Sequence, residues 1–344
     1  MAILQNVSYI IMALLAFGVL ILGHEFGHFI VAKLNNVRID EFSIGMGPKL
    51  FGIKGKETEY MLKLLPIGGY VKMYGEDDEV TTTDPRAYVN KSSWQKLTIV
   101  AAGPIMNIIM AIILFAIAGG IQGVKTPIVS NIIENSPAYE VGIKKGDIIK
   151  TVGDKKIVTW DDFVTAIVLN KSNPVDITVE RDGKIEEYNI TPKLNKEINQ
   201  YMIGVSGTLK KPTVLGAVKS GFEETVSVVK QTFMFFGELF KGNVSKNDVG
   251  GPITIIRVSG RAASQGVVVL MNFAAYISVQ LAIFNIIPFP ALDGGWIFIL
   301  LLQIILRREF DKEKIATINY YGFMALMGLM VLVLIKDIVS PIKF

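Results

Sequence analysis

Cysteine is absent from this 344-residue chain, which excludes disulfides, thiolate metal sites and cysteine redox chemistry. Histidine occurs only twice, as His24 and His28. Imidazoles are therefore not scattered through the sequence as packing residues, and the pair stands out. No Lys or Arg occurs before Lys33, no acid occurs between Leu97 and Ile133, and Asp293 is the sole charge between Ala262 and Leu306. A net charge of +4, with no Lys/Arg-rich arm, gives no reason to expect a nucleic-acid partner.

Hydrophobic residues make up 51% of the chain and charged ones 19%, a balance that fits a multi-span membrane protein carrying some soluble mass. Four stretches nearly free of charge, the first interrupted only by the His/Glu cluster and the third only by Asp293, are long enough to cross about 30 Å of hydrocarbon, for which roughly 20 helical residues suffice. They run from about Val7 to Ala32, from Leu97 to Ile121, within Ala262 to Leu306, and between Lys314 and Lys336. Pro288 and Pro290 must break the third of these. The first resembles a signal peptide in length, but no basic residue precedes it and no clear cleavage signal follows, so it is read as a retained span. Lys33 and Arg38 follow the first span, and Arg307, Arg308, Lys312 and Lys314 follow the third region. This bias places those ends in the cytoplasm, with both termini and the region from Gln122 to Gly266 outside.

Between Gly123 and about Gly207 short alternating strands and turn signals replace the apolar runs. The runs Ser136-Pro137-Ala138 and Gly142-Ile143-Lys144-Lys145-Gly146-Asp147 precede a predicted helix WDDFVTAIVLN and two strands around Arg181-Asp182-Gly183. This part resembles a bacterial PDZ domain, which captures an extended peptide by adding it to a sheet edge; the alternative is a spacer with an empty groove. From Val214 to Phe240 the residues Val214, Val218, Phe222, Val226, Val229, Phe233, Phe236 and Phe240 recur at helical spacing, with charges off the stripe. That predicts a helix lying on the outer membrane interface or packed on the PDZ-like domain. Thr58 to Glu76 reads as strand, Pro/Gly turn and strand, a cytoplasmic hairpin that can dip into the membrane only with its backbone paired or lining a wet cavity.

His24, Glu25 and His28 form H-E-x-x-H, the pattern of zinc proteases. Residues four apart on a helix share a face, so both imidazoles can converge on one metal. Glu25 is then placed to take a proton from a water whose pKa zinc lowers to about 7. Each ionisable group within a span costs roughly 3 kcal/mol or more, and three of them fall within one and a half turns. Polar glue between helices is the alternative. Catalytic zinc needs a third protein ligand; Asp293 is the only acid available at membrane depth in the third region, with Asp40 or Glu41 as fallbacks. Around it, Asn285, Pro288, Pro290, Gly294 and Gly295 read as a helix broken just before the acid. The Asn285 amide either serves substrate backbone or an oxyanion, or caps the broken helix. Two histidines and one carboxylate also suit iron.

The HEFGHFIVAKLNNVRIDEFSIGMGPKLF run, the AAGPIMN run from Ala101 to Asn107, the single PDZ-like insertion and the NIIPFPALDGG run together resemble the bacterial site-2 protease family of intramembrane zinc metalloproteases. The resemblance implies a zinc metalloendopeptidase of the EC 3.4.24 type in regulated intramembrane proteolysis. It would bind one Zn2+ and cut within or near transmembrane segments of single-span proteins such as anti-sigma factors or signal-peptide remnants. It implies His24, His28 and Asp293 as zinc ligands, Glu25 as general base and Asn285 as a substrate-positioning residue. Gly68, Gly69, Tyr70, Val71, Lys72 and Met73 become a membrane-dipping edge strand presented to substrate. Gly103, Pro104 and Asn107 match the family's second-span motif, for which close helix packing is the other reading. Many relatives from double-membraned bacteria carry two PDZ domains, whereas this chain has room for one.

The expected fold is thus a polytopic α-helical membrane protein of about four transmembrane helices, with a cytoplasmic membrane-dipping β-hairpin and one extracytoplasmic α+β PDZ-like domain. The expected domains are 1–121, 122–207, an amphipathic connector 208–261, and 262–344. The expected location is the bacterial inner membrane, with the site towards the cytoplasm and substrate tails as candidate PDZ partners. A non-catalytic PDZ-bearing scaffold, or a metal transporter, would be the competing function classes. An intact Glu25 and the Asp293 turn speak against the first, and the lack of a visible repeat against the second.

Overall fold

The computed structural model describes residues 2–76, 82–197, 200–242 and 250–340. Among the described residues, four helices are long and apolar enough to cross a membrane: Ser8–Leu34, Ser93–Gln122, Val267–Ile286 and Lys312–Val339. The chain divides into two compact units, residues 1–111 with 241–344, and residues 112–240.

In the first unit, α1 (Ala2–Leu34) is apolar on every side, as a helix surrounded by lipid or protein must be. It ends at Leu34, and Asn36, with φ +55°, turns the chain away. Two long strands follow, β1 (Ile39–Lys54) and β2 (Glu59–Met73). Their register departs from the expected hairpin within Thr58–Glu76. Phe42 is opposite both Tyr60 and Val71, and Ser43 opposite both Met61 and Tyr70. The first run of β1 therefore lies between the two halves of β2, and Gly69–Met73 is an outer strand. Phe42 and Tyr60 face α1, where they meet Phe29. Next comes α2 (Ser93–Gln122), with Pro104 inside it.

The second unit holds a sheet built from β3 (Val124–Ile132), β4 (Ile148–Val152), β5 (Lys155–Lys156), β6 (Val175–Arg181), β7 (Lys184–Ile190) and, after a small β8–β9 hairpin (Lys193–Asn195, Gln200–Met202), β10 (Val205–Lys210). Strand order is β10-β3-β4-β6-β7, with β5 on β4 and β10 at the edge. A short α3 (Pro137–Glu140) and α4 (Trp160–Asn170) pack on it. The bounds of α4 are those read from the sequence, because Thr159 and Asp162 form a reciprocal capping box that fixes its start. The core comprises Val129, Ile149, Ile177, Val179, Phe163 and Ile167 among others.

Asp147, fully buried, is gripped by Arg181 through two bonds of 2.7 Å, and accepts the Lys144 N–H at 2.8 Å. Burial pushes this carboxyl up, but the Arg181 fork and the backbone N–H outweigh it and hold it below its ordinary 3.8. A lowered folded value means stability that is present above pH 3.8 and lost as the pH falls through the folded value. Arg181→Met, which leaves the carboxylate buried without its cation, should destabilise this unit by about 3–5 kcal/mol near neutral pH. Hydrogen exchange of the β4 and β6 amides in the full chain should read that loss as weakened protection, and the loss should shrink in acid.

α5 (Val214–Phe240) forms where the periodicity predicts, and its packed face is not the large apolar stripe. Its buried residues are Ala217, Gly221, Thr225, Ser227, Val228 and Thr232, whereas Phe222 is 56% and Phe233 61% exposed. Gly221 sets the contact: a Cβ there would lie 2.5 Å from the Ile112 carbonyl oxygen and 2.8 Å from the Ala116 nitrogen of α2. Small residues pack and the large apolar stripe stays open.

Back in the first unit, α6 (Pro252–Gln265) and α7 (Val267–Ile286) meet at Gly266, with φ +121°. The third span therefore begins at Val267, and Ala262 to Gln265 belong to the preceding helix. α8 (Asp293–Leu306) and α9 (Lys312–Val339) complete the fold. Buried Asp337 near the end of α9 accepts the Gly251 N–H, the Thr254 N–H and the Thr254 hydroxyl at 3.0, 3.0 and 3.1 Å. It thereby satisfies donors at the start of α6 that helix geometry leaves orphaned.

Candidate metal centre

The chemistry begins on α1. Gly23 and Gly27 let α2 come close: a Cβ at Gly27 would lie 2.4 Å from the Ala102 carbonyl oxygen, and one at Gly23 only 1.8 Å from the Met110 sulfur. This G-x-x-x-G pair, a membrane-packing signal, interleaves with the histidines and is masked by the H-E-x-x-H pattern in the sequence. His24 and His28 project to the same side, with ring centroids 4.8 Å apart.

Opposite them stands Gly103 of α2. A Cβ there would be 2.4 Å from His28 Nε2 and 2.7 Å from His24 Cε1, so only hydrogen fits. Pro104 removes the helical bond to the Val100 carbonyl and opens the helix locally, beside the Ile99 carbonyl. That carbonyl accepts His28 Nδ1–H at 2.8 Å, which leaves the Nε2 lone pair free. Asn107, fully buried, faces His24 Nδ1 at 3.1 Å with its amide nitrogen, while its Oδ1 has no partner. Turning the amide by 180° puts that oxygen against Nδ1–H, and His24 then also presents its Nε2 lone pair. The Asn107 backbone is held in turn by Ser278 Oγ of α7, which donates to its carbonyl at 2.8 Å.

Asp293 is the first residue of α8. The preceding turn carries Ala291 at φ +72°, a left-handed conformation costing a non-glycine residue roughly 1–2 kcal/mol. Gly294 and Gly295 are required by contact, since Cβ atoms there would lie 2.1 Å from the Ile287 and 2.4 Å from the Phe289 carbonyl oxygen. The carboxylate so placed reaches both imidazoles, with Oδ2 3.1 Å from His24 Nε2 and 3.6 Å from His28 Nε2. The two Nε2 atoms are 3.3 Å apart.

These three residues form the metal-holding group found among the described residues. Tetrahedral zinc with N and O ligands at about 2.0–2.2 Å requires ligand–ligand separations of about 3.3–3.5 Å, and the three observed separations bracket that range. Asp293 Oδ2 is also buried without a well-directed hydrogen bond. With both Nε2 atoms presenting lone pairs, the three atoms converge on one point and fit a cation.

Glu25 lies outside that group. Its Cγ is 3.3 Å from where a Gly69 Cβ would stand, and the same Cβ would be 2.8 Å from the Ser43 carbonyl oxygen. The base candidate thus lies against the outer strand Gly69–Met73. Gly68 takes φ +89° at the bend of β2. Tyr70 OH donates to Glu41 and accepts from Lys63 at 2.9 Å, Val71 is opposite Phe42 and Met73 opposite Ile39, and Lys72 is opposite Glu41. Asp40 takes the Arg38 guanidinium at 2.9 Å, so neither fallback ligand joins the cluster. Asn285 is half-buried in the last turn of α7. A cavity of about 370 Å³, lined by Glu76, Tyr88, Lys96, Trp296, Lys312 and Asn319, opens one helical turn beyond Asp293.

The family model described as Peptidase family M50 matches residues 12–329. A putative zinc metalloprotease of Clostridium acetobutylicum is 47% identical over 97% of this chain and 98% of its own. The regulator of sigma-W protease RasP of Bacillus subtilis is 30% identical over 96% of this chain and 98% of its own. Among solved structures, the PDZ domain of an SdrC-like protein from Listeria monocytogenes is 22% identical over 25% of this chain and 88% of that one, at a TM-score of 0.22. A donor set suited to zinc and a family match over nearly the whole length converge: the chain belongs to peptidase family M50 and is a zinc metalloprotease.

Proposed function

We propose that this protease works inside the bacterial inner membrane, cutting within or near the transmembrane segments of single-span proteins of the anti-sigma-factor or signal-peptide-remnant type. The carrying observation is the juxtaposition of Glu25 with both the His24–His28–Asp293 cluster and the outer strand Gly69–Met73.

His24, His28 and Asp293 would hold the zinc, which supplies Lewis acidity and lowers the pKa of a nearby water. Glu25 takes a proton from the water that attacks the scissile carbonyl and delivers it to the leaving nitrogen as the C–N bond breaks. A helical substrate hides its carbonyls in internal hydrogen bonds, so a stretch must unwind in an environment without free water. Gly69–Met73, the outer strand, is where that stretch adds, as in strand addition, and the Asn285 amide holds the freed carbonyl oxygen. Sidedness follows the basic flanks, with both termini and the PDZ-like domain outside. The exposed stripe of α5 suits the outer interface, and the β10 edge suits an extended substrate tail. The domain division read from the sequence belongs to this reading; residues 243–249 of its connector lie outside the described residues. A peptide-binding scaffold would have no use for a glycine kept bare opposite two imidazoles.

The test is cleavage of a labelled single-span substrate by the purified chain in detergent. Cutting should stop with chelator and return with zinc, and chelator-resistant cleavage would overturn the reading. In the same assay, deletion of residues 126–206 should relax discrimination against substrates with large outer domains, and unchanged selectivity would remove the PDZ-like domain from substrate choice.

A further inference from the structure

Asp293 hangs from a turn whose shape disagrees with its sequence. Phe289, Pro290, Ala291 and Leu292 form a β-turn closed by the Leu292 N–H to Phe289 carbonyl bond of 3.2 Å. Proline suits its second position, but Ala291 occupies the third with φ +72°. That is the type II form, which reserves this position for glycine or asparagine. The same four residues would adopt the commoner type I form with no positive φ at all. What separates the two forms is the orientation of one peptide group, the Pro290 carbonyl with the Ala291 N–H.

Both ends of that peptide are met by α9. Ala291 N–H donates to Asn319 Oδ1 at 3.2 Å. The Pro290 carbonyl oxygen lies 2.9 Å, and Pro290 Cβ 2.4 Å, from where a Cβ on Gly322 would stand, so the turn presses on bare backbone. Asn319 and Gly322 are three residues apart and share a face of α9. The other side of the turn runs straight into the ligand's helix, where Gly295 and Trp296 N–H groups bond the Leu292 carbonyl at 3.0 and 3.4 Å. The last span, which contributes no ligand, therefore grips the one peptide whose orientation sets where α8 starts.

We propose that Asn319 is a positioning residue for the metal: by accepting the Ala291 N–H it holds the turn in its type II form and keeps Asp293 within reach of His24 and His28. Seating of α9 is thereby coupled to metal affinity. The inference rests on the assignment of those three residues as zinc ligands.

Zinc affinity of the purified full chain, measured by competition with a chromogenic chelator, tests it without reference to activity. Asn319→Ala should weaken zinc binding by about tenfold or more, the scale of lost outer partners at metal sites. Adding Ala291→Gly should restore most of that loss, because glycine takes the positive φ unaided. An Asn319→Ala protein with unchanged zinc affinity, or a loss that Ala291→Gly does not relieve, overturns the proposal. If Asn319→Ala alone yields no folded protein, the double variant carries the test: recovered protein with near-parental affinity supports the role, and continued failure overturns it. Parent protein that takes up no zinc would instead overturn the ligand assignment, a separate result.

Discussion

Glu25→Gln should lower cleavage of a single-span substrate by about 10²–10⁴-fold, the span of positioned acid–base catalysis, while zinc stays bound. Glutamine keeps the shape of the side chain and its place beside Gly69, so packing of α1 against the outer strand is preserved. What it cannot do is accept a proton. The metal should be indifferent because the three converging donors come from His24, His28 and Asp293, and Glu25 contributes none. Metal analysis and a cleavage assay on one preparation separate the outcomes. Retained cleavage would remove Glu25 as the base, and lost zinc would make it a ligand.

Gly103→Ala should be nearly as damaging, for a different reason. The added methyl would stand 2.4 Å from His28 Nε2 and 2.6 Å from its Cε1, and 2.7 Å from His24 Cε1. Neither ring can swing away freely, since His28 Nδ1 is tied to the Ile99 carbonyl and His24 Nδ1 faces Asn107. Nor can the helices simply part, because Gly23 and Gly27 hold α1 against Ala102, Met106 and Met110 of α2. Zinc affinity should fall by about 100-fold, and cleavage with it. Helix propensity runs the other way, favouring alanine over glycine by about 1 kcal/mol, so a purely structural role would predict a firmer helix and an intact site. Gly328→Ala on α9, where a Cβ would meet nothing within 4 Å, is the matched control and should leave zinc binding as it is. Normal zinc affinity in Gly103→Ala would refute the packing argument.

The candidate ligands were legible because lipid makes them costly. Two histidines and two carboxylates in otherwise apolar segments have few explanations, and the scarcity of other acids at that depth singled out Asp293. The α4 helix and the β6–β7 hairpin were legible for a local reason: capping residues and an Asp-Gly turn fix their ends without help from the rest of the chain. β1 was not, because its partners lie up to 34 residues away in sequence, as with Ile39 and Met73, and Gly45, Gly47 and Pro48 break any simple alternation. α5 was legible as a helix but not in its packing, because apolar periodicity does not say whether the stripe packs or stays open; here Ala217, Gly221 and Ser227 are buried while Phe222 and Phe233 are exposed. Asn319 carried no signal at all, since its worth depends on the backbone angle of a residue 28 positions earlier.

The interleaving of β1 with β2 also gives the protein a ruler. The first run of β1 is zipped on both sides, so a slip by one residue would break two ladders at once and turn every side chain to the wrong face. Such a slip would carry Gly69 about 3.4 Å along the strand, a whole residue away from Glu25. Doubly fixed in this way, the edge offered to an unwound chain keeps a constant height relative to the base. On the proposed function, the bond that is cut would then be counted out from the strand.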